Sequence, residues 1–251
     1  MINELLQKKD TFLPYLIEEG LLNFIKEILI FIKNRIEIFR IKRQIKSLHK
    51  SCTLEELISF IFNVERFFIS IAQVKAEIYN VLKFLNNIEL NNVLEIGTKG
   101  GGTLFLLTLI SSQNSKIISI DLPLDKHGAG YPDWKLPIYK SFARPRQKMF
   151  FIRSDSHKES TKKEVEKALQ SSRCDLLLID GDHTYEGVKM DFEMYSPLVK
   201  SGGYILFHDI AKHPIFKVRE FWNEIKSNYT YKEFVKDWNQ GGYGLGIIKI
   251  D

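Results

Sequence analysis

The sequence predicts an α/β protein built on a doubly wound, mostly parallel seven-stranded sheet, and three observations carry this. Short apolar runs recur at Val93–Ile96, Ile117–Ile120, Met149–Ile152, Leu176–Ile179 and Tyr204–Phe207. Helical stretches at Thr103–Ile110, Glu159–Leu169 and Tyr185–Tyr195 fill most of the intervals, as expected where helices cover both faces of a parallel sheet. The end breaks the rhythm: Lys232–Trp238, a turn at Asn239–Gly242, then Tyr243–Ile250 read as an antiparallel hairpin closing the sheet. Residues 71–251 make up this domain, and residues 1–70 form a helical extension in front of it.

Within the extension, Leu16–Leu48 is a helical region. Leu22, Ile25, Leu29, Ile32, Ile36 and Phe39 follow 3-4-3-4-3 spacing, a seam with heptad character that runs for fewer than three heptads. Ile38, Ile41, Ile45 and Leu48 make a second stripe, displaced around the helix. The favoured reading is a helix packed on the body of the protein, or on its twin in a homo-oligomer. A basic amphipathic helix resting on an anionic membrane is the sharper alternative. Thr53 and Glu56 form a capping box opening a further helix, and Ala72–Leu85 is another, with Val74, Ile78, Val81, Leu82 and Leu85 on one side.

The net charge of +5 invites a nucleic-acid reading, but its location opposes one. Lys33–Lys50 holds seven basic residues and one acid, Glu37; that segment supplies +6 and leaves −1 for the rest. Basicity confined to residues 33–50 suits peripheral membrane contact rather than a nucleic-acid enzyme. The most apolar N-terminal run, Ile28–Ile32, is too short to span a bilayer, and with Glu4 and Asp10 near the start no secretory pattern is visible. Cys52 and Cys174 offer neither a disulfide framework nor metal-ligand spacing. A reducing, cytoplasmic setting fits.

Between the second and third strands, Leu122–Gln147 is a connection of 26 residues. Connections beyond about 12–15 residues without structure of their own are usually lids, binding segments or disordered. Its GAGYPDW (Gly128–Trp134) and YKSFARPR (Tyr139–Arg146) segments suit closure over a polar substrate, against the plainer reading of a decorated surface loop.

Chemistry concentrates where strands end. The fourth and fifth apolar runs, separated by a helical stretch and a Gly-Gly turn at Gly202-Gly203, stop at Asp180, Asp182 and His183, and at His208 and Asp209. In an open parallel sheet such residues gather on the rim where ligands bind. One acid after a strand is commonly the start of a solvated loop; five titratable groups at two strand ends mark a site. After the first strand, VLEIGTKGGGT (Val93–Thr103) turns on glycines, including Gly97 and Gly101, that can bring backbone N–H groups against a ligand. The dinucleotide fingerprint and the phosphate-binding P-loop both fail to match it. Glu95 suits a ligand ammonium group, Asp121 the two hydroxyls of a ribose and Asp155 the exocyclic amine of a purine. An ammonium, a ribose and an adenine with no pyrophosphate describe S-adenosylmethionine rather than a dinucleotide.

The order LEIGT-x-GGGT, SIDLP, RSDS, LLLIDGDHTYEGV-x-x-DF and PLV-x-SGGYILFHDI resembles the class I S-adenosylmethionine-dependent methyltransferases, which have a Rossmann-like fold. Within them it is most similar to the branch holding macrolide-sugar O-methyltransferases and cephamycin-biosynthesis methyltransferase-like proteins. The similarity covers about Gln73 to Ile250. It implies S-adenosylmethionine binding by Glu95, Gly97, Gly101, Asp121 and Asp155. It further implies a divalent ion, Mg2+ or Mn2+, on Asp180, with His208 and Asp209 matching the acidic pair after the next strand. His208 departs from the carboxylate of the metal-dependent members; imidazole serves magnesium poorly but suits manganese, iron or zinc. His183 matches a histidine that acts as base in some members, and its imidazole suits that role at neutral pH better than neighbouring Asp182, which on the plainer reading caps the helix from Tyr185.

The expected activity is O-methylation of a sugar or another polyhydroxylated small molecule. The alternatives are an N-methyltransferase of the same fold and a non-catalytic binding protein that kept the pocket.

Overall fold

The structure, a computed structural model, describes residues 9–50, 52–124 and 128–251, with residues 9–19, 21 and 22 described by their backbone alone. Glu4 and the side chains of Asp10 and Leu22, which entered the sequence reading, lie outside the described residues. The chain divides into two compact units, Met1–Ser47 and Leu48–Asp251. Helix α1 (Lys9–Leu48) is interrupted at Gly20, whose φ of 75° and ψ of 148° are non-helical.

The second unit begins with α2 (Leu54–Asn63), opened by the expected capping box. Thr53 Oγ1 accepts the Glu56 N–H at 3.2 Å, and Glu56 Oε2 accepts the Thr53 N–H at 2.8 Å. Helix α3 (Lys75–Leu85) follows, burying Ile78, Val81, Leu82 and Leu85. Strands and helices then alternate: β1 (Asn92–Ile96), α4 (Gly102–Ile110), β2 (Lys116–Asp121), α5 (Leu136–Tyr139), β3 (Lys148–Arg153), α6 (Glu159–Leu169), β4 (Cys174–Ile179), α7 (Tyr185–Tyr195) and β5 (Val199–His208). Helix α8 (Val218–Ile225), β6 (Thr230–Phe234) and β7 (Leu245–Lys249) complete the unit.

The seven strands form one sheet in the order β3-β2-β1-β4-β5-β7-β6, so the expected Rossmann-like α/β class holds. Pairings from β3 to β5 are parallel; β7 pairs antiparallel with both β5 and β6. On one face Leu94, Leu177, Ile205 and Phe207 pack with Val165 of α6, Val188 of α7 and Phe221 and Trp222 of α8. The alternate residues Val93, Ile117, Leu176 and Leu206 are buried on the other face, as a period of two requires. The chain runs outward from β1 to β3, then returns to β4 on the far side of β1. The crevice between β1 and β4 is therefore the topological switch point, the usual ligand site of such sheets.

Three expectations change. Helix α8 was not anticipated, although Val218, Phe221, Trp222 and Ile225 have the i, i+3, i+4, i+7 spacing of a buried helical face. Gly202 and Gly203 do not form a turn before the fifth strand: they lie within β5 at a register shift, exchanging backbone bonds with Ile250. The connection after β2 is not without structure. It carries α5 and two flanking 3-10 turns, Asp133–Lys135 and Lys140–Phe142, and it buries Tyr131, Ile138, Tyr139 and Phe142; residues 125–127 lie outside the described residues.

The hairpin is tied back to α3 by Glu77, which is 2% exposed. Its Oε1 accepts the Lys236 N–H at 2.7 Å and the Gln240 side-chain amide at 2.8 Å, and its Oε2 accepts the Gly244 N–H at 3.0 Å. Replacing this carboxylate strands buried donors in the hairpin connection. Glu77→Ala should cost about 3 kcal/mol in urea unfolding, with Glu77→Gln costing less.

Candidate active site

At the end of β1 the chain makes its tightest approach to another strand. Gly97 has φ of 92°, and a Cβ there would lie 1.9 Å from the carbonyl oxygen of Asp180 at the end of β4. The Asp180 N–H bonds Ile96 O at 2.9 Å, and the Gly97 N–H bonds Ile120 O at 2.9 Å. Only a residue without Cβ allows the three strand ends to converge this way. Gly101, with φ of 76°, precedes α4 with the Tyr139 ring where its Cβ would stand.

Two cavities open along this crevice. One, of about 510 Å³, is lined by Gly97, Asp121, Gly130, Asp155 and His157 among others. The second, of about 770 Å³, is lined by Arg66, His208, Asp209, His213, Phe216 and Tyr243 among others. Gly97, Lys99, Asp180 and His183 border both.

In the first cavity Asp121 closes β2 with Oδ2 accepting the Lys99 N–H at 2.5 Å and Oδ1 accepting the Leu122 N–H at 2.7 Å. Burial raises its pKa, opposed by those backbone donors. Each oxygen keeps a lone pair for a ligand hydroxyl. Asp155 accepts the His157 N–H at 3.0 Å. Glu95 is fully buried and borders neither cavity: Oε2 accepts the Thr98 hydroxyl at 2.9 Å, Oε1 has no partner, and burial raises its pKa well above the usual range. His157 Nε2 lies 3.3 Å from the wholly buried carboxylate of Asp191 on α7, binding the loop after β3 to the domain. Nε2 also lies 3.2 Å from Gly187 O, and the nearby Asp191 carboxylate raises His157 to about 9, overcoming burial.

At the shared border Asp180, His183, His208 and Asp209 form one cluster, with a ligand atom from each lying within 4.8 Å of the others. Asp180 Oδ1 is 2.9 Å from His208 Nδ1 and 3.3 Å from His183 Nε2; Asp209 Oδ2 is 3.3 Å from both nitrogens. Burial disfavours every charge here, and the opposite charges of the cluster oppose that penalty. The imidazoles keep Asp180 down at about 2, and the two carboxylates lift His208 to about 10 and raise His183. Asp209 adopts φ of 60° and its Oδ1 accepts the Tyr243 N–H at 2.6 Å, which fixes the other oxygen in the cluster. Two carboxylates and two imidazoles form a donor set suited to a divalent transition ion more than to magnesium.

Asp182 sits outside the cluster. Expected as the cap of α7, it instead accepts the Thr184 N–H at 2.8 Å, while Thr184 is the N-cap and accepts the Gly187 N–H at 3.0 Å. The helix starts at Tyr185, which puts the cap one residue before it rather than at Asp182. The sequence reading also missed the groups that steady His183. The Phe216 ring stacks on His183 at 4.3 Å and on His213 at 3.8 Å, and the Lys217 N–H bonds His183 O at 2.8 Å. His213 Nδ1 accepts the Ile215 and Phe216 N–H groups, so its ring proton resides on Nε2. The available signal was a second histidine five residues beyond His208, in a segment that could have been any loop.

Residues 94–210 match the family model described as a methyltransferase domain. An O-methyltransferase from Bacillus cereus, solved in complex with SAH, is 15% identical with a TM-score of 0.53, over 79% of this chain and 90% of that one. MycE methyltransferase from the mycinamycin biosynthetic pathway, solved with Mg, SAH and mycinamycin VI, is 17% identical with a TM-score of 0.50, over 79% of this chain and 54% of that one. At these identities the likeness is one of fold, the class I S-adenosylmethionine-dependent methyltransferase fold. An uncharacterized protein of Sinorhizobium fredii, y4gI, is 32% identical over 87 residues, 32% of this chain and 8% of that protein. The chain spans less than a fifth of the length of the curated relatives it matches.

The His157–Asp191 pair makes a pH-dependent contribution with a definite sign. A histidine raised from 6.5 to about 9 in the folded state stabilises fully below pH 6.5, and the gain is lost as pH rises through 9. Urea unfolding of the wild-type protein should lose roughly 2–3 kcal/mol across that window relative to His157→Gln, and parallel curves would refute the assignment.

Proposed function

We propose that this methyltransferase-domain protein is an S-adenosylmethionine-dependent O-methyltransferase acting on a hydroxyl of a sugar or another polyhydroxylated small molecule. The observation that carries the reading is the pair of cavities meeting at Gly97, Asp180 and His183. A nucleoside methyl donor in the Asp121 and Asp155 cavity would direct its methyl group toward an acceptor in the other, with the acid–imidazole cluster between them. MycE, of the same fold, is solved with mycinamycin VI and Mg, which supports a small-molecule acceptor here.

S-adenosylmethionine supplies the electrophilic methyl, and a divalent ion on Asp180, His208 and Asp209 would supply a positive charge beside the acceptor oxygens. The chain's own contribution is positioning and proton removal. Asp121 holds the ribose hydroxyls, and the Gly97 turn gives the donor close access to backbone at the strand ends. In its neutral form His183 Nε2 takes the acceptor proton as the oxygen–carbon bond forms and the methyl's bond to the donor sulfur breaks. Asp180 and Asp209, both at 3.3 Å, stabilise the imidazolium that results, and the same contacts raise its pKa and move the base form to higher pH. His213 and Phe216 hold the acceptor side of the wall.

Two measurements test this. Calorimetric titration with S-adenosylmethionine should give binding that Asp121→Ala weakens at least about tenfold, through loss of charged hydrogen bonds to the ribose; unchanged affinity would remove Asp121 from the donor site. His183→Ala should lower kcat by about 10²–10⁴ while leaving donor affinity nearly intact, and a fully active variant would exclude it as base.

A further inference from the structure

Helix α1 carries an apolar surface that is left exposed among the described residues. Six of the fourteen exposed large apolar side chains among the described residues fall between Ile25 and Phe39. Five of them, Ile25, Leu29, Ile32, Ile36 and Phe39, keep the 3-4 spacing that puts them on one strip, with exposures from 44% to 68%; Ile30 lies off the strip, beyond its Lys26–Lys33 edge. At 1.5 Å per residue the strip is about 21 Å long.

Its flanks are cationic on both sides. Lys26, Lys33 and Arg40 recur every seven residues along one edge, and Arg35 and Lys42 along the other. Arg40 is paired with Glu37 at 3.0 Å, and Glu27 lies on the side away from the strip. A second copy of this helix would satisfy the strip, but in either orientation it would bring cation against cation at both edges. A sheet of anionic headgroups above an apolar layer satisfies edges and strip together. No helix among the described residues is long and apolar enough to cross a membrane, so the helix would lie in the interface plane.

We propose that the Ile25–Phe39 strip docks the protein on an anionic lipid bilayer. The five apolar side chains enter the boundary between headgroups and acyl chains, and Lys26, Lys33, Arg35, Arg40 and Lys42 meet the headgroup charge. The strip lies in the first unit and owes nothing to the proposed methyl transfer.

The test is co-sedimentation of the full chain with vesicles of phosphatidylcholine mixed with phosphatidylglycerol, against pure phosphatidylcholine. Each cation near an anionic surface is worth about a fivefold gain in partitioning, so binding should favour the mixed vesicles by more than about tenfold and weaken with salt. Ile32→Glu/Ile36→Glu should abolish binding, and Lys33→Glu/Arg40→Glu should weaken it severalfold, both sets being solvent-exposed side chains whose change leaves circular dichroism unaltered. Equal binding to both vesicle types, or none, would overturn the proposal. So would binding that survives Ile32→Glu/Ile36→Glu, which would be surface charge without insertion. A dimer in light scattering that the same double variant converts to monomer would assign the strip to self-association instead.

Discussion

The site depends on one backbone contact. Where β1 and β4 separate, the Asp180 carbonyl occupies the space a side chain at Gly97 would fill. That contact holds the first and fourth strand ends at minimum separation and aims the Asp180 carboxylate along the crevice. Both cavities border it, and the cluster of Asp180, His183, His208 and Asp209 is assembled around it. A larger residue at position 97 would part the strands before it disturbed any side chain of the cluster.

The cluster is stable because its charges are mutual. Four buried or half-buried titratable groups would each resist ionisation alone; packed within 4.8 Å, the acids and imidazoles offset part of one another's burial penalty. The remaining freedom is removed by neighbours: Tyr243 fixes one oxygen of Asp209, and Phe216 stacks against His183. The site therefore combines strong local charge with little rotational slack, which is what moving a proton at a defined atom requires.

Much of this was legible in the amino-acid order because it is local. Five strands, the capping box at Thr53 and the acids ending β2 and β4 follow from periodicity and spacing within a few residues. Helix α8 was equally legible from Val218, Phe221, Trp222 and Ile225 and was simply passed over. Other features had no local signal. Gly202-Gly203 reads as a turn in isolation and becomes a bulge only because Ile250 pairs across it. Glu77 looks like an ordinary helix residue, since its three partners lie some 160 positions away. His213 and Phe216 acquire meaning only when the fold sets them against His183, and the 26-residue connection after β2 orders itself by burying aromatics against residues distant in the chain.

Strand β7 follows β6 along the chain yet lies between β5 and β6 in the sheet. Strand β6 reaches the rest of the sheet only through β7, so an earlier segment is held in place by a later one. His208 pairs with Leu245, and Asp209 receives its backbone donor from Tyr243, just before β7. The half of the rim that holds His208 and Asp209 is therefore secured by the last strand of the chain, whereas Asp121 rests on the parallel strands alone.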